Sequence, residues 1–536
     1  MTELVDASLG ADPARALAIT LPELLRYNSV TTGAKPVVVT PDELLTHAEL
    51  DERSRRLAGA LVGVGVGKSA RVGLLAPNGV GWAMTAAAVL RIGAVLVPLS
   101  TLLRQPELSA QLALADVTHL VVTREFRGRA YLDEIEEIAP GAASAAVSPR
   151  CSAMLPSLRY VWPIDGLPTT SVEPDVVEAL ERAVRPSDDA VVMFTSGSRG
   201  APKGVLHTHG GSLLATASGL EIRCIGPDER LYIPMPFFWT GGFYGGLLSA
   251  MLAGPTLLTE AIPEPAATLA LLESRRATLF RGWPDQASRL ATDPAFATAD
   301  LSALRPGSLP AVLPAAVRPQ PGARANLFGM TETAGPYCGD RLDRDLPTDK
   351  FGSCGRPFIG LDVRVVDPES SRECAPGTPG EIRLRGPRVM RAIKGRLHEA
   401  TFDVDGFYPT GDLGTLDGDG YLWFHGRLDD MVKVKGATVF PSEVESALRA
   451  VPGVQQAHVT DVDPGGDVAI AAFVVSTLPL TEIVADVANW LSSFKVPSLW
   501  LVRESADALP LSATAKVDKP ALQALLLRDG LPGPKH

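Results

Sequence analysis

The sequence predicts an α/β protein with a large N-terminal domain of parallel α/β sheets plus a small β subdomain, followed by a small mobile α+β C-terminal domain. Three observations support this prediction. The length of 536 residues exceeds what one hydrophobic core usually supports. Short apolar runs alternate with amphipathic helical patterns along the N-terminal part of the chain. After roughly residue 350 the pattern changes to short strands with alternating apolar and polar residues, and then to a mixed unit.

The N-terminal part of the chain begins with an alternation of helices and strands. Residues 45 to 61, LTHAELDERSRRLAGAL, place apolar side chains at helical spacing. The runs ARVGLLAP (70 to 77) and AVLVPLS (94 to 100) predict buried strands on either side of another helix, and THLVVT, AVVMFTSGS, PTLLTE and ATLFRGW predict further strands. Ligands of such sheets bind at the carboxyl ends of the strands.

The C-terminal part reads as a β subdomain and a compact mixed unit. DVRVVD, GEIRLRG and GYLWFHGR alternate apolar and polar residues, which predicts antiparallel strands. A helix over FPSEVESALRAV, a strand VAIAAFVV and a helix through DVANWLSSF follow. We therefore predict an N-terminal domain at 1–428 and a C-terminal domain at 429–536.

Charge and cysteine usage exclude several classes of protein. The formal net charge of −11 and the lack of a long Lys/Arg run argue against nucleic acid or an anionic membrane as the main partner. The most apolar stretch, residues 82 to 99, contains Arg91, Gly93 and Pro98, which predicts a buried helix and strand and not a membrane span. Five scattered cysteines and an acidic N-terminus without an apolar signal core predict a soluble cytoplasmic protein.

The stretch MFTSGSRGAPKG, residues 193 to 204, has the composition of a phosphate-binding loop. Its glycines allow unusual backbone shapes, its hydroxyl groups can donate to phosphate oxygens, and its lysine supplies a positive charge. The candidate phosphate ligands are Thr195, Ser196, Gly197, Ser198, Gly200 and Lys203. The stretch is not a Walker A sequence, and a glycine-rich surface turn is the alternative interpretation.

A second stretch, NLFGMTET (326 to 333), combines an aromatic side chain with a hydroxyl and a carboxylate. Phe328 offers a flat face for an adenine ring, Thr331 a hydroxyl for a phosphate, and Glu332 a carboxylate for magnesium.

Two further stretches contribute one candidate each. In DGFYPTGDLG, Asp412 is a short carboxylate suited to the hydroxyls of a ribose. In LSATAKVDK, the candidate is Lys516, and an isolated lysine of this kind is by itself expected to lie at the surface in water.

In order and spacing, the four stretches together resemble the adenylate-forming superfamily of acyl-CoA synthetases, adenylation domains and luciferases. TSGSRGAPKG, FGMTE, the run from TGDLG to GRLDD and the terminal lysine loop all match, and the resemblance extends from about residue 40 to about residue 522. GSCGRPFIG and PSEVE match further segments of the family. The chain is most similar to an AMP-forming acyl-CoA ligase, a class that uses ATP, Mg²⁺ and coenzyme A.

The resemblance implies roles for individual residues. The loop from Thr195 to Lys203 would hold the pyrophosphate end of ATP, Phe328 would stack on adenine, and Thr331 and Glu332 would meet the α-phosphate and magnesium. Gly329 would also belong to the ATP site. Asp412 would bind the ribose hydroxyls with Arg427 nearby. Lys516 would bridge the carboxylate and the α-phosphate in the transition state, so the predicted catalytic residues are Lys516, Glu332, Thr331 and Lys203.

The same resemblance implies a mobile C-terminal domain. In the family this domain swings about a hinge, here Asp429, so that the loop of Lys435 and Gly436 replaces Lys516 and coenzyme A can enter. One small domain thereby serves two half-reactions.

The segment PMPFFWTGGF predicts an apolar pocket for the acid. It lacks the aspartate that pairs with the amine in amino-acid-activating relatives, so a fatty, aryl or other hydrophobic acid is expected. Trp239 stands in place of a frequent histidine. The candidate pocket residues are Phe238, Trp239, Gly241, Gly242 and Met330.

Three hypotheses follow. The first is ATP-dependent activation of a hydrophobic acid and its transfer to coenzyme A, with release of AMP and pyrophosphate. The second is transfer of the acyl group to a carrier protein or an amine. The third is a catalytically silent nucleotide-binding protein, against which the presence of Lys203, Glu332, Asp412 and Lys516 argues.

Overall fold

A computed structural model describes most of the chain. The described residues are 13–141, 153–169, 172–196, 202–428, 432–434, 437–439, 441–463, 468–492, 495–511 and 517–533. The chain divides into two compact units. The first unit comprises Met1–Val363 and Leu384–Tyr408, and the second comprises Arg364–Arg383 and Pro409–His536.

The largest sheet of the first unit has seven strands within the described residues. In spatial order they are Ala392–Ile393, Pro202–Thr208, Asp189–Ser196, Val95–Leu99, Arg71–Leu75, His119–Val122 and Tyr160–Pro163. The last five strands are parallel, and the first two pair antiparallel. The predicted strands at 70 to 77 and 94 to 100 are therefore confirmed as neighbours in a parallel sheet.

The predicted acid-pocket segment follows a strand of a second parallel sheet in the first unit. The described strands of this sheet, in spatial order, are Leu279–Phe280, Arg230–Tyr232, Thr256–Leu258, Pro36–Val39 and Leu44–Thr46, and only the last pairs antiparallel. A small antiparallel sheet follows, made of Phe328–Met330, Gly335–Gly339 and Arg356–Pro357. A two-stranded ribbon joins Glu125–Phe126 and Arg129–Ala130.

Helices cover the sheets of the first unit. The described helices are Pro13–Ala18, Leu21–Thr31, His47–Gly63, Val80–Arg91, Gln105–Leu114, Tyr131–Ile138, Pro174–Ala183, His209–Ala217, Thr240–Gly242, Ser249–Ala253, Pro265–Ser274 and Pro284–Thr292, with a π-helix at Phe243–Leu248. The predicted helix at 45 to 61 begins at His47, because the Thr46 hydroxyl accepts from the Glu49 amide and the Glu49 carboxylate accepts from the Thr46 amide.

The second unit contains the predicted β subdomain and mixed unit. The strands Asp362–Val366, Gly380–Arg385, Tyr408–Leu416 and Leu422–Arg427, most of whose residues belong to this unit, form one sheet in that order. A ribbon pairs Val432–Val434 with Ala437–Val439, and a further sheet orders Val454–Val462, Ala469–Ser476, Leu499–Arg503 and Leu531–Pro532. The described helices are Pro441–Ala450, Leu480–Val487 and Lys519–Asp529.

One predicted helix of the second unit is displaced. The pattern DVANWLSSF placed a helix over residues 486 to 494, but the helix runs from Leu480 to Val487 and ends before Trp490. Pro479 starts it, and its inward face is Ile483, Val484 and Val487, so the apolar stripe lies one turn earlier than predicted. Trp490 is exposed.

The arginine that interrupts the apolar stretch is part of a buried ion cluster. Arg91 donates to a carboxylate oxygen of Asp51 at 2.8 Å and to one of Glu181 at 2.5 Å, and its side chain is only 1 % exposed. The Ser54 hydroxyl accepts from the same guanidinium at 2.9 Å. The stretch is a helix and a strand, as predicted, and no helix of the described residues is both long and apolar enough to cross a membrane.

Arg91→Met is expected to lower the free energy of unfolding by about 3 kcal/mol, because it removes the only fully buried cation of the cluster and leaves Asp51 and Glu181 with the partly exposed Arg55 and Arg26. The measurement is the urea midpoint of tryptophan fluorescence. Arg124→Met is the control, since Arg124 pairs with Asp165 at an exposed position and its loss should cost less than about 1 kcal/mol. Equal midpoint shifts for the two variants would contradict the prediction.

Candidate active site

The predicted phosphate loop lies between two long antiparallel strands of the first unit. Thr195 is paired with Lys203, and Ser196 with Pro202, at the end of this hairpin next to its connecting segment. Gly197, Ser198 and Gly200 lie outside the described residues, as does the side chain of Ser196. The lysine is therefore held by a regular strand.

Lys203 meets the predicted threonine–glutamate pair. Its ammonium forms an ion pair with the Glu332 carboxylate, and it lies 2.9 Å from the Tyr408 hydroxyl. Tyr408 donates to the same Glu332 oxygen at 3.2 Å. The side chains of Lys203 and Glu332 are 15 % and 8 % exposed, so the charges of both are largely removed from water. Two motifs 129 residues apart thus form one cluster.

The Glu332 carboxylate is ionised at neutral pH. Burial raises its pKa, but the charge of Lys203 and the hydrogen bonds from Lys203 and Tyr408 outweigh that effect, so the net pKa lies below the ordinary value. No group of three or more His, Cys, Asp or Glu side chains in the described ranges is arranged to hold a metal ion. The role of Glu332 as a magnesium ligand stays a prediction.

A neutral histidine, His207, forms a hydrogen bond with the backbone of Thr331. The Nε2 atom of His207 lies 2.7 Å from the Thr331 carbonyl oxygen, so the imidazole donates through Nε2. Burial lowers the pKa of His207 to about 4. Burial also lowers the pKa values of His47, His119 and His209 to about 4.

These histidines predict a loss of stability on mild acidification. A folded-state pKa near 4 lies below the unfolded value of about 6.5. The unfolded chain therefore binds more protons in this window, and stability falls as the pH drops from 6.5 towards 4. We expect the thermal denaturation midpoint to be level above pH 7 and to decline at pH 6 and 5. His207→Gln, whose amide can still donate to Thr331, should decline less; a decline as steep as that of the natural chain would contradict this assignment.

The predicted adenine-contacting residue stands at the start of the next strand pair. Phe328 is half-buried, and its ring meets that of Tyr337 edge-on at 5.4 Å. A Cβ atom on Gly329 would lie 2.3 Å from Pro336 Cα, so a larger residue would force the two strands apart. Close strand packing thus fixes the backbone beside Phe328, and its contact with adenine stays a prediction.

The predicted acid-pocket segment runs past the same threonine. The hydroxyls of Thr240 and Thr331 are 3.3 Å apart. Asn78 anchors the start of this segment, since its amide donates to the Met235 carbonyl at 3.1 Å and its oxygen accepts from the Phe237 amide at 2.6 Å. The segment is therefore held between a loop after one parallel strand and the Thr331 turn.

The rings of Phe238, Trp239 and Trp283 contact one another in a row, which we call the aromatic edge. The rings of Phe238 and Trp239 meet at 5.5 Å, and those of Trp239 and Trp283 at 5.4 Å. A Cβ atom on Gly242 would lie 2.0 Å from the Pro236 oxygen, and one on Gly241 would lie 2.5 Å from the Met235 sulfur. The two glycines thus let the chain turn tightly beneath the aromatic rings.

Met330 packs differently from the other predicted pocket residues. Its side chain contacts a small core cluster that includes Val205, Met390 and Tyr408. It is placed on the Lys203 side of the turn, and its role in the acid pocket stays a prediction.

The predicted ribose ligand belongs to the second unit. Asp412 and Arg427 are directly opposite on paired antiparallel strands, with an Arg427 nitrogen 2.7 Å from an Asp412 oxygen. Arg427 also donates to the Thr410 carbonyl at 3.1 Å. The side chain of Asp412 is 6 % exposed. Their predicted contact with the ribose of ATP stays a prediction.

The remaining predicted site residues belong to the C-terminal part of the chain. Lys516, the hinge residue Asp429, and Lys435 and Gly436 lie outside the described residues.

Sequence reasoning missed four residues that complete the cluster, namely Tyr408, Thr240, Asn78 and His207. Tyr408 precedes PTGD and Thr240 follows Trp239, so both stood inside stretches already considered. Asn78 followed a predicted strand, which is where ligand-site residues of parallel sheets gather. His207 carried no signal, because a lone histidine in an apolar strand is ordinary.

The family model of AMP-binding enzymes matches residues 25–393, more than half of the chain. The chain belongs to the AMP-binding enzyme family. Feruloyl-CoA synthase from an Amycolatopsis species is 34 % identical over 487 residues, which cover 89 % of this chain and 92 % of that protein. Indoleacetate–CoA ligase from Aromatoleum aromaticum is 28 % identical, with coverage of 92 % and 96 %.

Solved structures agree on the fold of this AMP-binding enzyme. The anthranilate CoA ligase AuaEII in complex with anthranoyl-AMP superposes with a TM-score of 0.77 at 23 % identity, covering 95 % of this chain and 98 % of that one. ATP-bound MatB from Rhodopseudomonas palustris gives a TM-score of 0.73 at 24 % identity, covering 94 % and 99 %. The predicted α/β fold and superfamily are confirmed.

The enzyme class is confirmed as well. This AMP-binding enzyme is an AMP-forming acyl-CoA synthetase, which activates a carboxylic acid and transfers it to coenzyme A. Use of ATP follows from the family.

Proposed function

We propose that this AMP-binding enzyme converts a hydrophobic carboxylic acid, with aryl acids as the first candidates, into its coenzyme A thioester through an acyl-adenylate. The contact between Thr240 and Thr331 carries the proposal, because it joins the aromatic edge at Trp239 to the cluster of Lys203 and Glu332. The names of the feruloyl and indoleacetate relatives support an aryl acid. The segment also lacks a carboxylate for a substrate amine.

In the first half-reaction a carboxylate oxygen of the acid attacks the α-phosphorus of ATP, and pyrophosphate leaves. Both reactants are negative, so the site must supply positive charge and hold them in line. Lys203 and Lys516 supply the charge and Thr331 donates to the α-phosphate. The nucleotide would be positioned by Thr195, Ser196, Gly197, Ser198, Gly200, Phe328, Gly329, Asp412 and Arg427.

Glu332 fits a magnesium ion, since it is an ionised carboxylate beside the proposed phosphate ligands. Magnesium bound there would neutralise phosphate charge and polarise the phosphoryl group. Tyr408 keeps the carboxylate oriented by its hydrogen bond.

In the second half-reaction the sulfur of coenzyme A attacks the acyl carbonyl carbon, and AMP leaves with the electrons of the acyl–phosphate bond. We propose that the domain at 429–536 turns about Asp429 between the two steps, bringing Lys435 and Gly436 towards the adenylate. The acid would lie along Phe238, Trp239, Gly241, Gly242 and Met330.

A panel of fatty, aryl and amino acids tests the proposal by acid-dependent pyrophosphate release, with and without coenzyme A. Faster release with hydrophobic aryl acids, and AMP formation that requires coenzyme A, are expected. A preference for amino acids, or AMP formation with a carrier protein or an amine in place of coenzyme A, would contradict it. No acid-dependent release at all would identify a silent nucleotide-binding protein.

A further inference from the structure

Two neighbouring arginines of the first unit, one buried and one half-buried, form no ion pair with a carboxylate of the described residues. Arg223 is 8 % exposed, and its guanidinium donates to the carbonyls of Gly219 and Thr216 and to the Ser249 hydroxyl. Arg281 donates to the Arg223 carbonyl, while its buried Nε atom has no acceptor among the described residues. A buried cation without an anion is costly, so such groups usually serve a ligand or a fixed partner.

The nearby carboxylates are already engaged elsewhere. Asp343 forms a two-point ion pair with Arg341 at 2.7 Å and 3.0 Å, and Glu229 pairs with Arg305. Burial lowers the pKa of both Arg223 and Arg281 to about 10, and the charge of Arg281 adds to the effect on Arg223. Cys224 and the charge of Asp343 offset part of the effect of burial on Arg281. Both arginines remain charged at neutral pH, and neither forms an ion pair with a carboxylate of the described residues.

The alternation of side chains along the strand places Arg281 on the face of its sheet that packs against the π-helix. Successive residues of a strand face opposite sides. Leu279 belongs to the core that also contains Leu247 of the π-helix, whereas Phe280 belongs to the core on the other face. Arg281 is therefore on the face of the π-helix, two residues before Trp283, whose ring contacts Trp239.

The π-helix leaves space beside the arginine pair. Arg223 donates to the Gly245 carbonyl at 3.4 Å. A Cβ atom on Gly245 would meet one atom within 4 Å, the Arg223 Nη1 at 3.4 Å. The π-helix Phe243–Leu248 thus has no side chain at Gly245, where its surface faces the Arg223 guanidinium. π-helical turns of this kind often occur at functional sites.

We propose that Arg281, held by Arg223, receives an oxygen acceptor at the end of the acid remote from its reacting carboxylate. The inference rests on the proposed function and narrows the substrate to hydrophobic acids that carry a distal carbonyl or a second carboxylate. Arg281 then acts as a specificity-determining residue, because an acid without that acceptor leaves a buried guanidinium unpaired in the complex.

Three cinnamic acids of similar shape test the inference, with an isopropyl, acetyl or carboxyl group at the 4-position. The readout is kcat/KM for pyrophosphate release by the full chain. The natural enzyme should prefer the acetyl or the carboxyl acid over the isopropyl acid by about tenfold or more. Which of the two is preferred shows whether the acceptor is neutral or anionic. Arg281→Leu should lower that preference about tenfold or more.

The ratio of two acids in one preparation does not depend on the fraction of folded enzyme. Arg281→Gln provides a second variant, and Arg289→Leu is the control, because Arg289 is an exposed arginine of the next helix. An unchanged ratio in Arg281→Leu and Arg281→Gln, or no preference in the natural enzyme, would overturn the inference while the proposed function stands. Release with other acids of the panel but with none of these three would also overturn it. The absence of release with any acid would instead refute the proposed function.

Discussion

Glu332→Gln is expected to lower kcat for acid-dependent pyrophosphate release by roughly 10² to 10³. The amide has the shape of the carboxylate, and its oxygen can still accept from Tyr408 and Lys203. What it loses is the negative charge that we assign to magnesium binding. The concentration of magnesium that gives half-maximal activity should therefore rise by about tenfold or more.

Glu52→Gln is the matched control for this change, because Glu52 is an exposed carboxylate on the helix His47–Gly63. Its kinetics should equal those of the natural enzyme. A thermal midpoint near the natural value would show that Glu332→Gln is folded. Normal kcat and normal magnesium dependence in a folded Glu332→Gln would remove Glu332 from the site.

Lys516→Ala is expected to slow adenylate formation by about 10³ or more while weakening ATP binding far less. The lysine is proposed to bridge the attacking carboxylate and the α-phosphate, and such an interaction acts mainly in the transition state. Thioester formation from a synthetic acyl-adenylate and coenzyme A should stay close to the natural rate, because that step is proposed to use the loop of Lys435 and Gly436. The two half-reactions are measured separately.

Lys519→Ala controls for the loss of a positive charge three residues further along the chain, at the start of the helix Lys519–Asp529. Lys519 pairs with Asp461 at 3.1 Å and is 40 % exposed, so its replacement should leave both half-reactions within about twofold. Equal losses in both half-reactions of Lys516→Ala would point to a folding defect or to a different role for the lysine.

The sequence alone determined the elements whose causes are local. The helix beginning at His47 follows from the Thr46–Glu49 capping pair, and the helix beginning at Pro441 starts at the predicted proline. The strands 71–75 and 95–99 are read from short apolar runs. The displaced helix Leu480–Val487 shows the limit of such local prediction. Its apolar residues fit helices that start one turn apart, and only the packing of the helix in the fold decides between them.

The candidate residues could also be named from sequence, because glycine-rich turns, hydroxyls, carboxylates and lysines carry the same chemistry wherever they occur. Their assembly could not be read in this way without the family resemblance. Along the chain, Glu332 is 129 residues from Lys203, and Tyr408 is 205 residues from Lys203. No local pattern encodes which distant carboxylate neutralises a given lysine.

Tertiary structure decided the electrostatics. Arg91 looked like a break in an apolar stretch and is a buried cation held by Asp51 and Glu181. Arg281 lies near the end of the predicted strand ATLFRGW and is a half-buried cation that forms no ion pair with a carboxylate in the described part of the chain. The sequence shows that a charge is present, but its energy depends on burial and on neighbours brought together by folding, which is why the structure was needed to tell these two arginines apart.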